Sequence, residues 1–113
     1  MVKIKRVYEE YDKKDGYRIL IDRLWPRGLS KEKAHIDFWF KEIAPGNSLR
    51  KWFGHDPKKW EEFERRYDQE ISNNKEFAKL KQLIKEKKSV TLLYAAKDTE
   101  HNNAVVLLKF FKE

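Results

Sequence analysis

Residues 89–96 read S-V-T-L-L-Y-A-A, without a charge, in a chain where 40% of the residues are Asp, Glu, Lys or Arg. A run of strand length built on Val, Thr, Leu and Tyr belongs where both faces are covered, as in the centre of a parallel sheet. It arrives late, after a long stretch of helical patterning, so the strands that flank it must come from much earlier in the chain. A parallel arrangement also needs a crossover, and the intervening segment is long enough to supply one. The remaining residues of this 113-residue chain, a length typical of one domain spanning 1–113, must arrange themselves around that strand.

Upstream, Val2–Tyr8 alternates imperfectly between apolar and charged residues and reads as a first strand. Asp15-Gly16 signals a turn, and Tyr17–Leu24, rich in Ile, Leu and Tyr, reads as a second strand stopped by Pro26 and Gly28. Ser30 is placed to cap a helix running to Ile43, with Ile36, Trp39, Phe40 and Ile43 at i, i+3, i+4 and i+7. Ala44-Pro45-Gly46-Asn47 reads as a loop, after which Ser48 caps a short helical segment ending at Gly54. Asp56-Pro57 opens a helix with an N-cap carboxylate and a proline at the first helical position, burying Trp60, Phe63, Tyr67 and Ile71 on one stripe. Ser72-Asn73-Asn74 breaks it; Phe77, Leu80, Leu83 and Ile84 mark the next helix. A last helix starts near Thr99 and packs Val105, Leu108 and Phe111, with Ala104 and Leu107 alongside. The order β-β-α-α-α-α-β-α predicts an α/β fold, a small three-stranded, mostly parallel sheet flanked by about five helices, with the pairing of the first two strands open.

Composition narrows the chemistry. Without cysteine there is no disulfide framework, thiolate nucleophile or zinc–cysteine site, and three histidines do not build an imidazole cage, so no metal and no cofactor is expected. The N-terminus alternates charge with apolar residues, without a secretory apolar region, and no apolar run approaches bilayer length. A soluble, cytoplasmic protein that engages no membrane is expected. The formal charge is +7, spread as 13 basic against 9 acidic residues in 1–56 and 13 against 10 in 57–113. Such a surplus favours polyanions at encounter, yet no basic block of the kind that marks a nucleic-acid arm occurs. Lys outnumbers Arg 19 to 7, so the arginines are the more informative cations.

Ligands of open α/β sheets bind beyond the carboxyl ends of the strands. The second strand runs into Asp22-Arg23-Leu24-Trp25-Pro26-Arg27-Gly28 and the last into Tyr94-Ala95-Ala96-Lys97-Asp98. If the two strands are parallel, Arg23, Arg27, Lys97 and the amides of the last helix converge on one rim, the kind of assembly that holds phosphate or carboxylate. Leu49–Asp56 adds Arg50, Trp52 and His55, the last being the side chain best suited to acid–base work near neutral pH. Asp22 and Asp98 are further acid–base candidates, Trp25 and Trp52 are candidate stacking surfaces, and Asn102 can bond a ligand or cap the last helix. Arg66 and Glu70, four apart, read as an ion pair within a helix.

The segments D-G-Y-R-I-L-I-D-R-L-W-P-R-G (15–28), L-R-K-W-F-G-H-D-P (49–57), F-E-R-R-Y (63–67) and T-L-L-Y-A-A-K-D (91–98), followed by Asn103-Ala104, resemble the YeaO-like family, part of the grouping called domain of unknown function 488. The resemblance covers nearly the whole chain. It implies a small cytoplasmic α/β protein of bacteria or archaea and no particular reaction. A second branch of that grouping ends its last strand in a cysteine–glutamate pair and starts the final helix with C-H-R. Here those places hold Tyr94, Ala96 and Asn102-Asn103-Ala104, so thiol chemistry does not carry over.

Three functions fit these residues. The first is a pocket for a small phosphorylated or carboxylated molecule, with possible hydrolase or transferase chemistry through His55, Asp22 or Asp98. The second is a nucleic-acid-binding module that stacks bases on Trp. The third is a module that binds a protein partner through exposed indoles.

Overall fold

The uncharged run forms a strand, β4 (Val90–Tyr94), whose 5 residues are all buried. The computed structural model describes residues 1–112. In it β4 lies between β1 (Val2–Arg6) and β2 (Tyr17–Leu20), parallel to both, with Leu92 beside Ile4 on one side and Ile19 on the other. A short strand, β3 (Phe38–Trp39), adds parallel to the far edge of β2, giving the order β1-β4-β2-β3. The first two strands therefore never pair, because the most apolar segment takes the place between them.

Five α-helices are found among the described residues: α1 (Lys31–Ala34), α2 (Asn47–Phe53), α3 (Trp60–Ser72), α4 (Phe77–Lys87) and α5 (Asn103–Lys109). Strand periodicity separates two cores. Ile19, Ile21, Val90 and Leu92 face α2–α5 and pack with Leu49, Phe53, Phe63, Tyr67, Leu80 and Leu107. Val7, Leu20 and Leu93 face the other way and pack with Trp25, Leu29, Ile36 and Trp39. None of the helices among the described residues is long and apolar enough to cross a membrane.

Two expectations need correction, and they share a cause. The sheet has four strands rather than three, and the helix expected over 30–43 is only α1, ended by His35 in the left-handed conformation at φ 50°. Residues 37–40 instead extend along β2: the Asp37 amide donates to Arg18 O at 2.9 Å and the Phe40 amide to Leu20 O at 2.8 Å. Phe38-Trp39-Phe40 also alternates, with Phe38 and Phe40 toward the helices and Trp39 toward the opposite core. The open edge of β2 and that period of two override a helical spacing that the same apolar residues happen to satisfy. Smaller differences are that β2 stops at Leu20, that Gly46 rather than Ser48 precedes α2, and that α5 begins at Asn103. At Gly16, φ is 70° and a Cβ would collide with the Ser89 carbonyl, which accepts the Tyr17 amide at 2.9 Å, so the turn into β2 requires glycine.

The second core contains an ion pair. Arg18, 1% exposed, reaches from β2 to the Asp15 carboxylate and donates to the carbonyls of His35 at 2.9 Å and Ala34 at 3.0 Å. Lys5 Nζ joins Asp15 at 3.0 Å, and Thr91 donates to the Asp15 carbonyl at 2.7 Å. Burial alone would raise the Asp15 pKa; Lys5, the Asp12 amide and Arg18 together hold it below the usual value. A lowered carboxyl stabilises the fold above the unfolded-state value and loses that contribution as pH falls through the folded one. Asp15→Asn leaves Arg18 buried without its anion and is expected to cost about 3 kcal/mol at neutral pH. Urea unfolding from pH 7 to pH 3 checks this: the variant's stability should fall less steeply with acid than the wild type's, and equal stability at pH 7 would refute a stabilising pair.

Candidate functional site

Because β2 and β4 are parallel neighbours, the segments that leave them start from the same end of the sheet. Ile21 N donates to Leu93 O at 3.1 Å, and Val7 N to Tyr94 O at 2.8 Å, so three strand ends are held level. With α2 and the start of α5 they enclose a cleft of ≈ 840 Å³, which Asp22, Arg23, Trp25, Arg27, Arg50, His55, Lys97 and Asn102 all line. The convergence expected from parallel pairing is present.

At the base of the cleft Asp22 joins three elements. Oδ2 accepts the Ala95 amide at 2.9 Å and Oδ1 accepts Asn103 Nδ2 at 3.1 Å, while the same Nδ2 donates to Ile21 O at 3.0 Å. One carboxylate thus fixes the end of β2 to the end of β4 and the first residue of α5. Burial raises the Asp22 pKa, opposed by Asn103, the Ala95 amide and the nearby His55.

Two arginines act on main chain. Arg23 Nε and Nη2 donate to Pro45 O and Ala44 O, each at 3.2 Å, fastening the loop before α2. Arg6 Nε and Nη2 donate to Ala96 O at 2.8 Å and Ala95 O at 3.0 Å, fastening the segment after β4. Tyr8 donates to Arg27 O at 2.8 Å and draws the Trp25–Arg27 bend over the cleft. Sequence reasoning passed over Arg6 and Tyr8; the available signal was their position at the end of a strand parallel to the other two.

Asp98 and Asn102 are engaged in shaping the chain. Asp98 Oδ1 accepts the amides of Glu100 and His101 at 2.9 and 3.0 Å, and Oδ2 meets His101 Nδ1 at 2.8 Å. The Glu100 amide and His101 together hold its carboxyl below the usual value. Asn102 caps α5, accepting the Val105 amide at 3.1 Å and donating to Asp98 O at 2.9 Å. Of the α5 amides expected to meet a ligand, that of Val105 is therefore taken by a side chain of the protein. His101 also meets Trp60 edge-on at 5.3 Å.

Four other cations stand differently. Among the described residues, Arg27, Arg50, Lys51 and Lys97 form no ion pair, yet all line the cleft. Arg50 has one long bond, Nη2 to Asn47 Oδ1 at 3.4 Å, and its Nε is buried without an acceptor. A buried guanidinium N–H without a partner is costly, and the Arg50 side chain, which lines the cleft, has no carboxylate of the described residues to offset it. His55 follows Gly54 in a second consecutive left-handed position, φ 59° after φ 52°, which turns its exposed side chain to the rim.

Trp52 is absent from the lining. Its ring lies under Arg66 at 4.5 Å and Lys59 at 5.1 Å on the α3 side. Arg66 pairs with Glu62 rather than Glu70, whose carboxylate accepts the Gly46 amide at 2.8 Å; Arg65 and Arg66 together hold Glu62 at about 2. Among the described residues no cluster of three or more His, Asp or Glu is placed to hold a metal.

A family model described as the inactive DUF488-N3 subclade matches residues 1–113. The chain belongs to this DUF488 family. YeaO of Escherichia coli K12 is 40% identical over 111 residues, covering 98% of this chain and 96% of YeaO. Rv3073c of Mycobacterium tuberculosis is 37% identical over 106 residues, covering 94% and 89% respectively. Both are named as uncharacterized proteins. No solved structure matches the chain. The resemblance to the YeaO-like DUF488 family read from the D-R-L-W-P-R-G block and its companions is borne out.

The DUF488 rim has a testable electrostatic signature. An acid whose folded pKa lies above its unfolded one takes up its proton in the native state first, so its contribution to stability grows as pH falls through the folded value, the reverse of Asp15. Asp22→Asn sets an amide donor against one of two donors and is expected to cost about 1–3 kcal/mol. Urea unfolding at several pH values between 7 and 4 should find the gap between wild type and variant widening toward acid. A gap that narrows would mean that Asp22 titrates below the ordinary range.

Proposed function

We propose that the cleft binds a small organic anion, phosphorylated or carboxylated, and holds it without converting it. The observation that carries this reading is the gathering of Arg27, Arg50, Lys51 and Lys97 around one concavity with no ion pair among the described residues. Among the described residues most Lys and Arg pair with no carboxylate; these four differ in being gathered from three chain segments around one concavity, where a single anion would meet several of them together.

Holding rather than converting is supported by what became of the candidate acid–base groups. Hydrolysis or transfer needs a carboxylate or imidazole free to move a proton at the reacting atom. Asp22 is bound on both oxygens, and Asp98 anchors a turn and orients His101. Two imidazoles on the lining are left: His55, without a side chain bonded to it that would orient it, and His101, which Asp98 orients but which packs edge-on against Trp60 at 5.3 Å. The description of the family model as inactive agrees with this, as does the absence of cysteine where another branch of the grouping carries its thiol.

Thermal denaturation with ribose 5-phosphate and with citrate tests the proposal. Ligand at about a hundred times its Kd stabilises a fold by about 2.7 kcal/mol, which for a domain of this size raises Tm by several degrees. Arg50→Met keeps the aliphatic stem and should abolish that increase while leaving the ligand-free Tm within about 2 °C; Arg27→Ala should reduce it. Binding of one small anion should weaken modestly with added salt, whereas a steep loss with oligonucleotide as the better ligand would favour a polymer site. No stabilisation of the wild type by either probe would overturn the reading, and turnover of a phosphate ester that depends on His55 or His101 would overturn its non-catalytic half.

A further inference from the structure

We infer that the anion belongs to a nucleotide, whose flat ring stacks on an aromatic wall formed by Tyr8 and Trp25 while its phosphate meets Arg50 and Lys51. This rests on the anion-binding reading above and adds the class of molecule.

Size is the first reason. A cleft of ≈ 840 Å³ lies in the upper part of the range, about 300–1,000 Å³, that accommodates whole organic ligands, and inorganic phosphate or a short carboxylate would leave most of it as water. Its two ends also differ. Trp25 packs in the core on one face of the sheet, whereas α2, which carries Arg50 and Lys51, packs in the core on the other. A molecule that touches both must reach across the end of the sheet.

The second reason is the chemistry of the wall. Every polar handle on it is already engaged: Tyr8 Oη donates to Arg27 O at 2.8 Å and Trp25 Nε1 to Leu29 O at 2.6 Å. What remains to a ligand is ring surface. Arg6 lies 5.0 Å from the centre of the Tyr8 ring, and Trp39 meets Trp25 edge-on at 5.4 Å, so both rings are braced from behind or from the side. Tyr8 is 41% exposed and Leu24 60% exposed, a large apolar area left open beside unpaired cations. A base covers such a surface by stacking, and a wall with no free donors accepts any base.

The third reason is charge. Several unpaired cations around one guest suit a multiply charged group, which a phosphate monoester or diphosphate supplies and a single carboxylate does not. The same cations are few and gathered in one concavity, which fits a mononucleotide better than a strand that needs a track of phosphate contacts.

Isothermal titration of the full chain with ribose 5-phosphate, adenosine and the four nucleoside 5′-monophosphates tests this. The monophosphates should bind at least about tenfold more tightly than ribose 5-phosphate, with little difference among bases, since one stacked base contributes about one to two orders of magnitude. Trp25→Ala should bring them down to the ribose 5-phosphate level without weakening ribose 5-phosphate itself. Should that variant fail to fold, Leu24→Ser on the exposed rim, together with quenching of wild-type tryptophan fluorescence by monophosphates and not by ribose 5-phosphate, gives the same decision. Equal affinities for ribose 5-phosphate and the monophosphates would overturn the ring and leave the anion site standing. Adenosine binding as tightly as its monophosphate would overturn the anion reading instead. Binding of none of these, or of an oligonucleotide alone, would overturn both.

Discussion

A single carboxylate at the carboxyl end of the sheet organises what lies around it. Asp22 accepts from the Ala95 amide and the Asn103 side chain, so the exits of β2 and β4 and the entry to α5 share one anchor. Strand pairing aligns the backbones only as far as Leu20 and Leu93; beyond that each chain is free to diverge. Asp22 is the side chain that accepts from both neighbours there, adding to the Ile21–Leu93 main-chain bond and the Asn103 bond to Ile21 O that hold the 21–28 and 95–102 segments at a common origin. The pKa of Asp22 is raised by its burial, which marks the cost of keeping a charge there. That cost is offset by two charge-assisted bonds whose donors belong to different elements.

The basic residues around the cleft divide by what their nitrogens meet. Arg6 and Arg23 each hold two carbonyls, one pair after β4 and the other before α2. They close the cleft from two sides and have little donor capacity left for a guest. Arg50 and the exposed Arg27, Lys51 and Lys97 hold no carboxylate among the described residues. A fork-shaped guanidinium suits the first task because it spans adjacent carbonyls in one plane. The D-R-L-W-P-R-G block therefore combines two kinds of residue in one segment: Asp22, Arg23 and Pro26 build the wall, and Arg27 stands at its edge.

The central strand and its parallel neighbours could be read from composition because burial on both faces leaves no choice of residue type. The gathering of 22–28, 50–55 and 97–102 followed from that one inference about direction. Phe38-Trp39 misled because apolar residues at 36, 39, 40 and 43 fit a helix and a strand about equally well, and only the open edge of β2 decides between them. The bonding partners of the site residues were not legible for a different reason. Residue type reports what a side chain can bond, and partners such as the Ala44 and Pro45 carbonyls for Arg23, or the Val105 amide for Asn102, are set by loop geometry that carries no periodic signal. Trp52 reads as a cleft residue beside Arg50, yet successive positions on a helix point about 100° apart, and two steps carry it to the α3 side.

These placements also bear on how a site can outlive its chemistry. In a reacting site the acid and the base must be free at the bond being broken, while binding needs only complementary charge and shape. Asp22 and Asp98 stand where a general acid and base would be wanted, at the ends of adjacent parallel strands, but both are held by amides and by a neighbouring side chain. Releasing either would dismantle the end of a strand or the turn before α5, so neither can exchange its structural bonds for a reacting proton without loosening the cleft. The cations face no such conflict: the side chains of Arg27, Lys51 and Lys97 form no ion pair among the described residues, and Arg50 keeps a nitrogen buried and unbonded. A chain under selection for stability alone would be expected to trade that orphan donor for an apolar side chain. A guest anion, as proposed, would give the cations of the cleft the partner that the fold does not.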